Sequence, residues 1–154
     1  MDLNVTSTLV TNWGRAGETM EGRFIPQPSP VSKPYWEKAS QEELWIQKCE
    51  DCSAHTFYPR VACPHCWGEN LKWVKASGKG KIYTYTVVHR TDLDAFADKV
   101  PYIYAIVELE EGPRMSANII NCPVDEVHTG MPVQVVFEEL GSDMKLPQFE
   151  PRSS

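Results

Sequence analysis

The sequence predicts a mainly β protein in which a rubredoxin-like zinc ribbon is followed by a five-stranded OB-fold barrel. Two pairs of closely spaced cysteines predict the ribbon. Alternating apolar and polar residues, interrupted by turn residues, predict the barrel strands in the C-terminal half. A short N-terminal helix and an extended N-terminal arm precede them. We therefore expect an arm over 1–33, a helix and ribbon over 34–76, and a barrel with its C-terminal tail over 77–150.

Length and composition limit what the chain can do. Its 154 residues include 42% hydrophobic and 23% charged residues, with a net charge of −6, as in ordinary globular proteins. This length allows one modest core but not a catalytic barrel of roughly 250 residues. No stretch approaches the roughly 20 apolar residues of a membrane helix, and no signal-peptide pattern begins the chain. We expect a cytoplasmic protein, without a membrane partner, whose chemistry another chain completes.

The arm over 1–33 is rich in polar and small residues. Proline occupies every second position towards the end of Ile25–Pro30, which favours an extended, polyproline-like backbone. The arm also contains Trp13 and Phe24. Two interpretations stay open: a flexible terminus, or a segment that lies along a partner protein.

Helix signals begin directly after the arm. Ser32 is a candidate N-cap, Pro34 suits a first helical turn, and residues 35–39 can continue as a short helix. Residues 44–48 then resemble a strand that leads into Cys49.

Cys49, Cys52, Cys63 and Cys66 form two CxxC knuckles joined by residues 53–62. Each knuckle places two thiolates on one side of a tight turn, so two facing knuckles supply a tetrahedral metal site. Because four cysteines leave no position for a catalytic water, we predict one structural Zn²⁺ per chain. Iron would use the same four thiolates and stays open, whereas a thioredoxin-like redox pair needs only one CxxC.

Residues 78–149 predict five strands. In the first, the even-numbered residues from Ile82 to Val88 are expected on one face and the odd-numbered ones from Tyr83 to His89 on the other. The other four strands are predicted at Tyr102–Glu110, Arg114–Asn121, Val133–Leu140 and Lys145–Phe149. Five strands in about 70 residues suit a small closed barrel of the OB type.

Single-stranded nucleic-acid binding is an alternative function, because zinc ribbons and OB barrels both occur in such proteins. The charge of the barrel argues against nucleic acid as a partner, because residues 78–140 contain ten acidic and only five basic residues. Tyrosines could stack on bases, but tyrosines that alternate along strands are expected to be half-buried in the barrel. These tyrosines are Tyr83, Tyr85, Tyr102 and Tyr104.

We expect no catalytic residue in this chain. Cys122 is the only cysteine outside the knuckles, and the predicted barrel offers His89 and His128 as possible bases. Nothing in their spacing brings the three together, so Cys122 is expected to be an ordinary small residue.

The order of motifs over about 34–150 resembles the zinc-ribbon and OB-fold family formerly called domain of unknown function 35. Besides the two knuckles, the motifs are Pro34-Tyr35-Trp36, Tyr58-Pro59-Arg60, Gly78-Lys79-Gly80-Lys81-Ile82-Tyr83, Val87-Val88-His89-Arg90, Pro101-Tyr102, Val107-Glu108-Leu109 with Glu111-Gly112, Gly130-Met131-Pro132-Val133, and Leu146-Pro147-Gln148-Phe149. The resemblance implies a non-catalytic small subunit of a thiolase-type acyl-CoA enzyme, which docks near the coenzyme A channel of the large subunit. The arm lies outside the resemblance.

The resemblance also implies partners and ligands. A thiolase-like catalytic subunit is expected in a hetero-oligomer with two copies of each chain, and the complex is expected to bind coenzyme A or acyl-CoA. Thiolysis of benzoylsuccinyl-CoA is one substrate assignment, and steroid side-chain or polyketide-type acyl transfer is the competing one. Exposed cations near the channel would contact the coenzyme phosphates or the partner. The candidates are Arg60, Lys72, Lys75, Lys79 and Lys81.

Overall fold

The computed structural model describes residues 19–20, 23–141 and 143–153. The arm predicted over 1–33 therefore lies largely outside the described residues. Its described part contains two short antiparallel strands, β1 (Thr19–Met20) and β2 (Arg23–Phe24), which the proline pattern did not predict. Ile25, which follows them, is buried.

The predicted helix is present as α1 (Lys33–Ser40), with Pro34 in its first turn. Tyr35 and Ala39 are buried, as expected for residues four positions apart on one helical face. The expected cap was wrong in one respect: the Ser32 hydroxyl bonds to Ser29 and not to a free N–H of the helix. Neither α1 nor another helix of the described residues has the length and apolar character needed to cross a membrane.

Three antiparallel strands form the sheet of the ribbon. β3 (Trp45–Cys49) lies between β4 (His55–Thr56) and β5 (Leu71–Lys75). The strand predicted over 44–48 is confirmed as β3, which carries Cys49 at its end. This sheet holds the first knuckle at one end and leads through β5 into the barrel.

The five predicted barrel strands are all present. They are β6 (Lys79–Val88), β7 (Tyr102–Leu109), β8 (Arg114–Ile119), β9 (Pro132–Gly141) and β10 (Met144–Pro151), with the short helix α2 (Asp94–Ala97) between β6 and β7. They form a closed barrel in the order β10, β8, β7, β6, β9, and β9 pairs with β10 to close it. Every pair is antiparallel except β8 and β10, which meet in parallel with Phe149 opposite Ile119. The predicted five-stranded barrel is thus confirmed.

The simple alternation predicted for β6 was wrong beyond Ile82. A β-bulge between Ile82 and Thr84 inserts one extra residue against β7, so the inward and outward positions exchange. Ile82 is fully buried before the bulge, whereas after it Val87 packs against the core. Tyr83 is the extra residue at the bulge, and 48% of its surface is exposed.

The ribbon and the barrel share one hydrophobic core. Leu44 and Ile46 from the ribbon, together with Tyr35 of α1, belong to the same buried cluster as the barrel residues. The fully buried side chains Phe149 and Val133 lie in the barrel part of that cluster. Because apolar burial continues across the junction, the ribbon is supported by the barrel and does not stand alone.

Candidate metal centre and its surroundings

The two knuckles bring four cysteine sulfur atoms together. The Sγ atoms of Cys49, Cys52, Cys63 and Cys66 all lie within 4.8 Å of one another. Two of the separations are 3.6 Å, between Cys49 and Cys66, and 3.7 Å, between Cys52 and Cys63. A tetrahedron with metal–sulfur distances of about 2.3 Å has edges of about 3.8 Å. The donor set therefore fits a four-coordinate zinc site.

Both knuckles have the same backbone turn. The N–H of Ser53 donates to the carbonyl of Cys49, and the N–H of Trp67 donates to the carbonyl of Cys63, each over 2.9 Å. The residue that follows the second cysteine of each knuckle is left-handed, with φ of 63° at Ser53 and 62° at Trp67. Two equivalent turns face each other, so the thiols point towards a common centre.

The surroundings act differently on the individual thiols. Burial raises the pKa of Cys63, but the backbone N–H groups of His65 and Cys66 outweigh it and lower that pKa to about 7. For Cys66, the N–H of Gly68 lowers the pKa, but the neighbouring cysteine sulfurs outweigh this and raise it to about 12. Four sulfurs this close repel one another as thiolates, so a bound cation is needed to hold them together in that form.

The connection between the knuckles is held at two places. The buried amide of Gln47 accepts from the N–H of Arg60 over 2.7 Å and donates to its carbonyl over 3.0 Å. The hydroxyl groups of Tyr58 and of Ser116, on β8, are 2.7 Å apart. The connection is therefore bonded to the ribbon sheet on one side and to the barrel on the other.

The five candidate cations differ in their surroundings. Lys75 forms an ion pair with Glu43 over 2.7 Å, and the Lys75 ammonium lowers the pKa of that carboxyl. Lys81 forms an ion pair with Glu108 over 3.1 Å. Within the described part of the chain, no carboxylate pairs with the other three, whose side chains remain open to an external anion. These three are Arg60, Lys72 and Lys79.

Three tyrosines of the barrel strands are more exposed than the predicted half-buried arrangement. Tyr83, Tyr85 and Tyr104 expose 48%, 36% and 44% of their surfaces. The guanidinium of Arg114 lies 3.4 Å from the centre of the Tyr83 ring and also binds Glu108 over 2.8 Å. Glu108 therefore binds both Lys81 and Arg114, and the Arg114 guanidinium also covers the Tyr83 ring.

A cleft of about 580 Å³ lies between the ribbon and the barrel. His55 and His65 line it from the ribbon, and Glu111 and Arg114 line it from the turn between β7 and β8. Sequence reasoning did not find this cleft, because residues 54–57, 64–65 and 111–114 form it together and no motif shows that they lie close in the fold.

Cys122 lies outside these features. Burial raises the pKa of its thiol, and the carboxylates of Glu126 and Asp125 raise it further. Its hydrogen bond goes to the carbonyl of Pro123, and the His128 ring bonds to the backbone of Glu126. A raised pKa lowers the thiolate fraction, which is opposite to what a cysteine nucleophile requires.

The paired knuckles and the barrel that follows them define a class of protein. Residues 36–72 match the rubredoxin-like zinc ribbon domain of ChsH2, and residues 73–138 match its C-terminal OB-fold domain. The chain belongs to this family. A DUF35 domain-containing scaffold protein of Methanocaldococcus jannaschii is 41% identical over 62% of this chain and 68% of its own length. The resemblance seen in the sequence is thus confirmed.

Relatives that carry enzyme names are also similar. A probable enoyl-CoA hydratase alpha subunit of Thermomonospora curvata is 37% identical over 76% of this chain. The present chain spans only 36% of that protein's length. The benzoylsuccinyl-CoA thiolase subunit BbsA of Thauera aromatica is 29% identical over 49% of this chain and 51% of its own length.

A solved structure described as an Ltp2-ChsH2(DUF35) aldolase contains a chain with the same fold. The match has a TM-score of 0.74 and 35% identity, and it covers 82% of the present chain and 98% of the solved one. The order of ribbon and barrel is therefore shared with a chain that occurs in an enzyme complex.

Proposed function

We propose that this chain is a non-catalytic small subunit of a thiolase-type acyl-CoA enzyme that docks on a thiolase-like catalytic subunit. The observation that carries the proposal is the fold match to nearly the whole DUF35 chain of an aldolase complex. Similarity to a benzoylsuccinyl-CoA thiolase subunit supports a thiolase-like partner, and similarity to a hydratase subunit supports acyl-CoA chemistry. In this assembly the partner supplies the chemistry of thiolytic cleavage or acyl transfer.

The metal has a structural role in the proposal. Cys49, Cys52, Cys63 and Cys66 bind one Zn²⁺ per chain, which holds the two knuckles at a fixed distance. Zinc supplies no open coordination position here. The four thiolates keep the connection over residues 53–62 folded, and its bonds to Gln47 and Ser116 then fix it against the sheet and the barrel.

The second part of the proposal concerns coenzyme A. Arg60, Lys72 and Lys79 carry charges that no carboxylate of the described chain neutralises, so they are better candidates for contacts with the partner or with coenzyme phosphates than Lys75 or Lys81. The cleft between ribbon and barrel adds a concave surface, lined in part by residues 54–57 of the connection that also carries Arg60. We propose that this end of the molecule forms part of the wall of the partner's coenzyme A channel.

Nucleic-acid binding is the less favoured function. An OB barrel that binds nucleic acid offers free aromatic rings and free cations on one face. Here the Arg114 guanidinium covers the Tyr83 ring, and Glu108 binds both Arg114 and Lys81. The acidic balance of the barrel adds to this argument.

Co-expression with the thiolase-like subunit of the same genome tests the proposal. We expect the two chains to purify together as a complex with two copies of each, whose mass can be measured by light scattering. Acyl-CoA cleavage or transfer is expected from the complex and not from this chain alone. Turnover by the isolated chain that is lost in Cys122→Ala would overturn the assignment of catalysis to the partner subunit.

A further inference from the structure

Trp67 is the most exposed large hydrophobic residue that the structure describes, with 80% of its surface accessible. It directly follows Cys66, the last cysteine of the second knuckle. Among the described residues its indole ring makes no hydrogen bond, no ring contact and no cation contact, and only its backbone N–H is bonded. A tryptophan exposed in this way contributes almost nothing to the core.

The backbone at this position also disfavours tryptophan. Trp67 has a φ of 62°, in the left-handed region that glycine and asparagine adopt most easily. The equivalent residue of the first knuckle is Ser53, also left-handed, so the turn sets the conformation and does not require an aromatic side chain. The fold therefore accepts a strained residue whose ring, among the described residues, is not packed into the core. Such a residue is best explained by a contact with another molecule.

Three exposed residues of the knuckle connection accompany Trp67. Val61 exposes 73% of its surface and Tyr58 exposes 52%, and Arg60 is exposed between them. The N–H of Cys63 donates to the Gly68 carbonyl and closes the second knuckle, which the end of the connection enters directly. We call these four residues, Tyr58, Arg60, Val61 and Trp67, the ribbon tip. Tryptophan, tyrosine and arginine are the residue types that most often dominate the binding energy of protein interfaces.

Charge and rigidity indicate the kind of partner. The chain carries a net charge of −6, yet residues 57–68 contain no acidic residue, and no described carboxylate pairs with Arg60. A complementary surface therefore has an apolar pocket for an indole and an acidic rim. The four cysteines and the Gln47 amide hold the tip in place before binding, which lowers the entropy lost on docking.

We propose that the ribbon tip is the surface by which this chain docks on the thiolase-like subunit, with Trp67 as the anchor residue. The inference rests on the proposed function and deepens it by assigning the contact surface. The partner presents an apolar pocket that receives the indole of Trp67, and acidic groups beside it face Arg60.

Binding measurements on the full chain test this assignment. The probe is the purified thiolase-like subunit of the same genome, and the variants are Trp67→Gly, Trp67→Phe and the control Leu93→Ala. Leu93 exposes 59% of its surface on the connection between β6 and β7 and is not one of the four tip residues, so its removal changes exposed apolar area outside that set. Zinc content and urea unfolding are measured on each variant.

We expect Trp67→Gly to raise the Kd for the subunit about 30-fold or more, as for an anchor residue. Trp67→Phe should lie between this value and wild type, and Leu93→Ala should bind like wild type. The stability of Trp67→Gly should not fall, because glycine relieves the left-handed strain. A structural role for Trp67 would instead lower stability and binding together.

The outcomes separate the two proposals. If the wild-type chain binds the subunit and Trp67→Gly binds equally well, the ribbon tip is not the docking surface and the proposed function stands. If Trp67→Gly abolishes only self-association of this chain, the occupant is a second copy and the assignment is also overturned. If the wild-type chain forms no complex with the subunit, the proposed function fails and this inference fails with it.

Discussion

Cys63 is a buried thiol, and the backbone of its own knuckle surrounds its sulfur. The N–H of His65 lies 3.4 Å from the Sγ atom, and the Cys52 sulfur lies 3.7 Å away. Cys63→Ser removes one of the four thiolates that a tetrahedral structural zinc site needs. We expect zinc to fall from about one ion per chain to near zero, with loss of ribbon structure.

Elemental analysis and hydrogen exchange of β3 to β5 measure this effect, and visible absorbance distinguishes zinc from iron. Cys122→Ser is the matched control, since it removes a thiol that lies outside the centre. Folded wild-type protein without metal, or a Cys63→Ser variant that keeps its metal, would contradict the assignment.

Glu108 links two cations across three neighbouring strands. The Arg114 guanidinium, and then the Lys81 ammonium, lower the pKa of the Glu108 carboxyl below its usual value of 4.5. A carboxyl with a lowered folded pKa stabilises the protein above the unfolded pKa, and this contribution is lost as the pH falls through the folded pKa. We expect Glu108→Gln to be less stable than wild type at pH 7 and to approach it below about pH 4.5.

Urea unfolding at pH 7 and at pH 3.5 checks the prediction. Glu139→Gln serves as the control, because it removes one charge from another strand. A stability difference that stays the same at both pH values would show that Glu108 acts through packing and not through its charge.

At the scale of the elements, Gly80 lies where β6 passes between β7 and β9. A Cβ atom at this position would be 2.6 Å from the Glu108 carbonyl oxygen and 2.9 Å from a methyl group of Val107. The strands must separate to accept it, so we expect Gly80→Ala to lower the free energy of unfolding by about 1–3 kcal/mol. Thr86→Ala, an exposed site on the same strand, is the control for urea unfolding. Equal stability of the two variants would show that the strands can move apart without cost.

Local patterns predicted the elements well because each depends on neighbouring residues. Alternation and turn residues place the five strands, and cysteine spacing places the knuckles, since a metal accepts few arrangements of its ligands. The bulge after Ile82 was missed because it depends on how β6 meets β7. The ion pair of Lys81 with Glu108 was missed for the same reason, since strand register alone puts the two residues opposite each other.

The contacts between the ribbon and the barrel could not be predicted from the sequence either. The contact between Tyr58 and Ser116 joins residues 58 positions apart, and no motif marks either of them as a partner of the other. Trp67 carried one usable signal, a large aromatic residue immediately after a knuckle cysteine. Its exposure, however, becomes visible only when the folded ribbon shows that nothing covers it.

At the scale of the whole molecule, the free cations lead to a prediction about catalysis. Lys72→Ala combined with Lys79→Ala removes two charges that no described carboxylate neutralises and that lie outside the ribbon tip. If these charges contact coenzyme A phosphates, the KM of the assembled enzyme should rise about fivefold or more while kcat changes little, as when uniform binding is lost.

Steady-state kinetics of the co-expressed complex measure this, with complex assembly checked on the same sample. Lys33→Ala combined with Lys99→Ala is the control, because it removes two exposed cations, one on α1 and one before β7, that are not candidates for coenzyme contact. An unchanged KM in an intact complex would show that these cations do not contact coenzyme A, and would leave the ribbon with a role in folding and docking only.

The pairing order of the barrel strands affects the order in which the parts of the chain fold during synthesis. Lys79 pairs with Gln134, and Phe149 lies beside Ile119, so the barrel closes only through contacts between distant parts of the chain. The ribbon strands lie within 45–75, so their pairing and the metal site involve only nearby residues, and the core shared with the barrel supports them once the barrel forms. We expect the growing chain to complete the ribbon first, while β6, β7 and β8 form an open meander with unpaired edges. The proposed docking tip would then be finished before the barrel is, and a partner subunit that captures it early would also shield the unclosed strands from aggregation.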